Sequence, residues 1–173
     1  MKTIWRSFCY TLLLALTALV AVQCWFLVHV WYWAEHDPGA TAFMHARWER
    51  MREKNPRVVL QQHWVPYNRI ALSLKRAIIA AEDDKFLAHE GFDWEGIQKA
   101  HEKNLKKGKI VSGGSTISQQ LAKNLFLSGE RTWWRKAQEA AITVMIETIM
   151  SKRRILEIYL NVIEWGDGIY GAE

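Results

Sequence analysis

Three groups of residues have the types and spacing that chemistry needs. Glu82, Asp83 and Asp84 follow one another directly after an apolar helical pattern, with Phe86, His89 and Gly91 close behind. An acid run in that place can hold one carboxyl against apolar surface while its neighbours stay solvated. This separates their pKa values and lets one carboxylate serve as a general base. The same run also fits a charged helix end with His89 on the surface. The second group is Gly113, Gly114, Ser115 and Thr116, leading into Ile117, Ser118, Gln119, Gln120, Leu121, Ala122, Lys123 and Asn124. Glycines before a capped helix present backbone N–H groups and the positive end of the helix dipole to an anion. Gln119 and Lys123 are four apart, so a helix puts them on one face. The glycine spacing and Gly-Lys-Ser/Thr ending of a nucleotide-binding loop are missing, and ordinary helix capping also fits. The third group is Arg131, Arg135, Lys136 and Glu139. It reads either as a guanidinium cluster for a diphosphate with a carboxylate to orient it, or as an exposed ion pair worth a few tenths of a kcal/mol.

The elements that must position these groups begin with an anchor. No charged residue occurs from Ser7 to Ala34, and the run is nearly all aliphatic from Leu12 to Val22. That is long enough for a helix across a bilayer, which needs about 20 residues. It is too long for a cleaved signal peptide and lacks a small-x-small site, and Gln23 before Cys24 does not suit lipoprotein cleavage. Of the 23 Lys and Arg only Lys2 and Arg6 precede it, whereas all 18 Asp and Glu follow. The positive-inside bias then puts residues 1–6 in the cytoplasm, 7–34 in the membrane and the rest outside. Trp25, Trp31, Tyr32 and Trp33 fall at the outer interface. Both cysteines, Cys9 and Cys24, lie in the span, so the exported part has no thiol for a disulfide.

Pro38 and Gly39 end this helix, and residues 35–63 read as a juxtamembrane linker with a short charged helix over 41–54. An extended piece over 57–65 and a turn at Pro66 and Tyr67 follow. Ile70, Leu74, Ala77, Ile78 and Ala81 then recur at helical spacing, delivering Glu82 at the helix end. Further helices are expected over 94–105, from a Ser115 or Thr116 cap to Phe126, along Trp133 to Thr148, and along Ile155 to Val162. Basic residues recurring between Lys99 and Arg135 suit an anionic ligand or membrane surface, or a solvated helix face.

Taken together and in order, these motifs resemble the glycosyltransferase domain shared by bifunctional penicillin-binding proteins and monofunctional peptidoglycan transglycosylases, glycosyltransferase family 51. The resemblance runs from about Trp64 to Gly171. Glu82, Asp83, Phe86, His89 and Gly91 match its first motif. Gly114 to Ile117 with Gln119, Gln120, Lys123 and Asn124 match the second, Arg135, Lys136 and Glu139 the third, and Lys152, Ile155, Glu157, Tyr159, Leu160 and Asn161 the fourth. One anchor and no transpeptidase domain make it similar to the monofunctional type.

The resemblance implies a mainly α, lysozyme-like domain over 64–173 behind one transmembrane helix. The family's domain continues further, so the chain reads as incomplete at its C-terminus. It implies polymerisation of lipid II into a growing glycan strand on the periplasmic face of a bacterial inner membrane, with release of undecaprenyl diphosphate and inversion. Glu82 is then the general base and Glu139 a second catalytic carboxylate. Lys123, Arg131 and Arg135 balance the diphosphate, and Asp83, Ser115, Gln119 and Gln120 complete the substrate-binding set. No His or acidic cluster has metal-ligand spacing, so a divalent cation such as Mg or Mn would be carried mainly by the diphosphate oxygens. The partners implied are the membrane and cell-division or penicillin-binding proteins, not nucleic acid. Two other readings fit parts of the pattern: a glycan hydrolase on the same scaffold, and a catalytically inactive lipid II or cell-wall-complex binder.

Overall fold

The computed structural model describes residues 2–172 other than Ser112, Ser128 and Arg131. Seven helices and one small sheet are formed by the described residues. Helix α1 (Lys2–Glu35) is followed by α2 (Ala42–Lys54), β1 (Gln61–Gln62), α3 (Leu72–Glu82) and α4 (Trp94–Lys107). The order then continues with α5 (Ile117–Phe126), α6 (Trp133–Ile149), α7 (Lys152–Val162), β2 (Glu164–Gly166) and β3 (Ile169–Tyr170). The molecule is mainly α, as the spacing and the family resemblance lead one to expect.

Local chemistry sets the helix starts. Thr41, Thr116, Thr132 and Ser151 each occupy an N-cap in extended backbone and accept a hydrogen bond from the N–H three residues on. Such a cap contributes about 1 kcal/mol. The core is built around α5, whose Ile117, Leu121 and Leu125 are buried against Ile142 and Ile146 of α6 and Ile155, Ile158 and Leu160 of α7. Helix α5 therefore has neighbours on several sides, α2, α6 and α7.

Helix α1 has a mean hydropathy of 2.2 over its most apolar window, enough to cross a membrane. Its 34 residues rise about 1.5 Å each, far more than the roughly 30 Å of a hydrocarbon core requires. The first two thirds are exposed and the outer third packs on the domain. Phe26 and Val30 are buried, and Phe26 meets Phe126 edge to face with ring centroids 5.1 Å apart. The Gln23 and Gln138 amides exchange reciprocal hydrogen bonds of 3.1 Å. At the top, Arg154 donates to the Trp33 carbonyl (3.0 Å) and the His36 carbonyl (2.6 Å) and pairs with Asp37. Gln23 lies beside the start of α6 and Trp33 beside the turn that follows it, so α1 and α6 ascend side by side in the same direction.

Residues 35–63, read from the sequence as a linker, include α2, which packs on α5. Met44 is buried there. Arg47 pairs with Glu164 and Asp167, each at 2.7 Å, joining α2 to the hairpin. The sheet, in the order β1-β3-β2 with β1 parallel and β2 antiparallel to β3, was not expected. Strands of two or three residues are too short to show a period of two. Gly171 makes the pairing possible: at φ +106 its Cα faces β1 so closely that a Cβ would lie 2.0 Å from the His63 carbonyl oxygen.

Candidate active site

Glu82 is the last residue of α3, and Asp83 caps that helix. The next turn carries the chain to His89 and Gly91, whose backbone φ of +91 admits glycine readily. A Cβ on Gly91 would stand 2.8 Å from Thr143 Cγ2 and 3.0 Å from Glu147 Cγ, so the loop rests directly on α6. The Gly91 N–H donates to His89 Nδ1 (3.1 Å), which places the ring proton on Nε2. Nε2 donates to the Asp83 carboxylate at 2.9 and 3.0 Å. Asp83 also accepts from the Ile117 N–H at 3.0 Å, and so fixes the first turn of α5 against the end of α3.

The start of α5 is closed in the same way. Thr116 and Gln119 form a capping box, and the Thr116 hydroxyl donates to the Gly91 carbonyl (2.7 Å). Asp83 and Gln119 were read from the sequence as substrate-binding. The structure buries both: Asp83 accepts from His89 and the Ile117 N–H, and Gln119 Oε1 accepts from the Thr116 N–H.

Glu82 is exposed and lines a cleft of about 310 Å³ between α3, α4 and the 113–116 loop. Asp84, Asp93, Lys99, Lys103 and Ser115 share its walls. Gly114 forms the tight edge, where a Cβ would come within 3.1 Å of Ile97 Cα. Gln120 donates from Nε2 to Glu82 Oε2 at 2.9 Å. Among the described residues, no hydrogen bond is made to the other carboxylate oxygen.

The second carboxylate is buried. Glu139 accepts from Arg135 Nη1 (2.6 Å) and from Lys136, whose ammonium also donates to Ser115 Oγ at 3.2 Å. With Glu139 only 2% exposed, this is not the surface ion pair that spacing alone allowed. The buried Arg135 Nε has no partner among the described residues. Lys123 stands between the two halves of the site, where its charge interacts with Glu139, Arg135, Lys136 and Glu82. Burial holds its pKa below the ordinary lysine value, partly countered by Glu139 and reinforced by Arg135 and Lys136. Among the described residues its ammonium forms no hydrogen bond or ion pair; it lies 5.7 Å from the centroid of Phe43. A half-buried cation without a protein acceptor is suited to an anionic ligand.

Glu82, Ser115, Gln120, Lys123, Arg135 and Glu139 thus gather around one region. Arg131 lies outside the described residues. The fourth motif proves largely architectural. Asn161 bonds both the N–H and carbonyl of Val65, and Glu157 accepts from the Tyr67 N–H, so α7 holds the segment that enters α3. Sequence reasoning missed a second buried network, in which Glu147 accepts from the Ser118 hydroxyl and from Lys152 at 2.8 Å. Nothing in the spacing of Ser118, Glu147 and Lys152 signals that contact. It also gave no site role to Tyr159, a 2% exposed residue whose hydroxyl reaches Gln120 at 3.0 Å.

Comparison with known proteins adds the following. The family described as Transglycosylase matches residues 50–173. A protein of Methylobacillus flagellatus named biosynthetic peptidoglycan transglycosylase is 62% identical over 169 residues, which are 98% of this chain and 72% of that protein. Proteins of the same name from an Azoarcus species and from Laribacter hongkongensis are 60% and 65% identical. They match 100% and 92% of this chain over 75% and 70% of their own lengths.

Proposed function

The chain belongs to the transglycosylase family, and from that premise we propose that it polymerises lipid II into glycan strands, with Glu82 as the general base. Peptidoglycan glycosyl transfer is the activity that the family and the relatives' names support. The finer reading is carried by one observation. Among the described residues, Glu82 offers a carboxylate to the cleft with one oxygen held and no hydrogen bond to the other, while the Lys123 ammonium has no acceptor and lies in the field of both acids.

The chemistry follows from those positions. An alcohol is a weak nucleophile near neutral pH, and a positioned carboxylate that takes its proton contributes typically 10² to 10⁴ in rate. Glu82 removes the proton of the acceptor's sugar 4-hydroxyl as that oxygen bonds to C1 of the lipid-linked donor. The C1–O bond to the diphosphate breaks, its electrons leave with undecaprenyl diphosphate, and attack from the opposite face inverts the anomeric centre. Negative charge grows on the diphosphate as the bond breaks. Lys123 and Arg135 meet that charge where water is scarce and each cation counts for more, and the family resemblance gives Arg131 the same role. Glu139 keeps Arg135 and Lys136 in place and favours the charged form of Lys123 against the effect of burial. Among the described residues, no three His, Cys, Asp or Glu stand close enough to hold a metal ion. A divalent cation would therefore be bound through the substrate's own oxygens.

Both substrates are lipids, which gives the docked anchor a role. With residues before Ser7 in the cytoplasm and the domain in the periplasm, the Gln23 and Arg154 contacts fix the height of the cleft above the bilayer. A hydrolase requires a pair of carboxylates but no diphosphate cradle, and Lys123 favours the synthase. The test is Glu82→Gln in a lipid II polymerisation assay beside a binding measurement. Polymer formation should be abolished while lipid II is still bound. Continued polymerisation would remove Glu82 from the base role, and cleavage of preformed glycan by the unaltered protein would favour the hydrolase.

A further inference from the structure

Tyr159 has no place in the mechanism above, yet it is buried directly behind the base. Its hydroxyl lies 3.0 Å from Gln120 Oε1, and the Gln120 amide nitrogen lies 2.9 Å from Glu82 Oε2 and 3.5 Å from the Ser115 carbonyl. Proton inventory decides the direction of each bond. An ionised carboxylate and a backbone carbonyl only accept, so the Gln120 NH₂ must face Glu82 and Ser115. Its carbonyl then faces α7, where the Tyr159 hydroxyl donates to it.

We propose that Tyr159 is a positioning residue for glycosyl transfer: its hydroxyl locks the Gln120 amide in the orientation that binds Glu82 through Oε2 and leaves the other oxygen to take the acceptor's proton. This deepens the reading of Glu82 as the base and rests on it. The phenol transfers no proton. It is held in its protonated, donating form by burial and by the nearby charges of Glu82 and Asp83, which push its pKa well above the ordinary tyrosine value. Without it, Gln120 Oε1 loses that donor and the amide is held only at its nitrogen end. Its hydrogen bond to Glu82 Oε2 then loosens, and the oxygen that takes the acceptor's proton is no longer firmly aimed.

The other groups around Glu82 stay as they are in a Tyr159→Phe variant, so a change in rate can be attributed to the amide. They are Asp83 and Asp84 on its own side of the cleft, Asp93, Lys99 and Lys103 across it, and Lys123 from α5. Arg135, Lys136 and Glu139 of α6 act behind Lys123.

The experiment measures polymerisation of lipid II by the full chain across pH for four proteins: unaltered, Tyr159→Phe, Gln120→Leu and the double variant. Tyr159→Phe should lower kcat about three- to ten-fold near neutral pH with KM unchanged, the scale of one net hydrogen bond. In the Gln120→Leu background the same change should have no further effect, because the hydroxyl acts only through that amide. A thermal melt of each variant sets the assay temperature below unfolding. An unchanged kcat, a raised KM, or a further loss on adding Tyr159→Phe to Gln120→Leu, overturns the proposal. Glu82→Gln run alongside separates the two claims: activity in that variant sinks the base itself, whereas its inactivity beside an unchanged kcat in Tyr159→Phe sinks only the relay.

Discussion

Replacing Glu139 by Gln removes one charge at the centre of the cationic cluster while keeping the side chain's shape. The carboxylate is 3% exposed and its partner Arg135 17%, whereas Lys136 is 43% exposed. The Lys136 pair is therefore largely screened by water and contributes little. The Arg135 pair is another matter, since removing one member of a buried pair costs about 3–5 kcal/mol by stranding the other charge. The new amide still offers an oxygen to Arg135, which puts the expected loss near the lower end, about 3 kcal/mol. For a chain of this length that corresponds to a melting point lower by about 6–12 °C. A second effect is independent of the first. Glu139 favours the charged form of Lys123, against burial and the repulsion of Arg135 and Lys136. With Glu139 neutral, the Lys123 pKa falls further, the ammonium deprotonates at lower pH, and the alkaline limb of polymerisation moves down. Glu139→Asp keeps the charge and should leave that limb nearly in place. Thermal unfolding in detergent and a pH profile with lipid II measure both effects. A Gln variant with unaltered melting and an unmoved alkaline limb would refute the view of Glu139 as the group that holds the cations charged and in place.

Gly91→Ala forces a side chain into a backbone at φ +91 with Thr143 Cγ2 2.8 Å away. A loss of about 2–4 kcal/mol in denaturant unfolding is expected from strain and overpacking, and melting like the unaltered protein would show that the loop yields. Gln23→Leu leaves the Gln138 amide without its reciprocal partner inside an apolar contact. A double-mutant cycle with Gln138→Leu should give a coupling of about 0.6–1.7 kcal/mol, and hydrogen exchange at residues 23–34 should quicken in the single variant. A coupling of zero would mean that the anchor docks by its aromatic rings alone.

Helices α3, α5, α6 and α7 were legible from apolar residues at helical spacing, and at α5 a Ser or Thr just before the first turn added a second signal. Glu82 at the end of α3 was read from that pattern, and the structure ends the helix on that residue. The anchor's apolar run was equally plain, but its docking was not. Gln23 inside the run is a single polar residue, and its partner lies 115 positions away. The charged sequence of α2 reads as a stalk because Met44 is its only buried residue; ion pairs from Arg47 bind it to the hairpin instead. Such contacts depend on tertiary placement and leave no period in the chain.

The motifs contain two kinds of polar residue, and composition does not separate them. Asp83, Asn161 and Glu157 have their acceptors or donors engaged within the protein, and Gln119 its side-chain oxygen, so they brace the cleft. Glu82 keeps an oxygen free and Lys123 an ammonium free among the described residues, so a substrate can claim them. One clue to the first kind was present in the sequence. Gln119 stands three residues after Thr116, the spacing of a capping box, and a capping glutamine has already placed its side-chain oxygen. For Asp83 no such clue exists, because its partners come from two later segments that only the fold brings together. The catalytic assignment therefore turns less on which acids and bases the chain carries than on which of them the fold leaves incompletely satisfied.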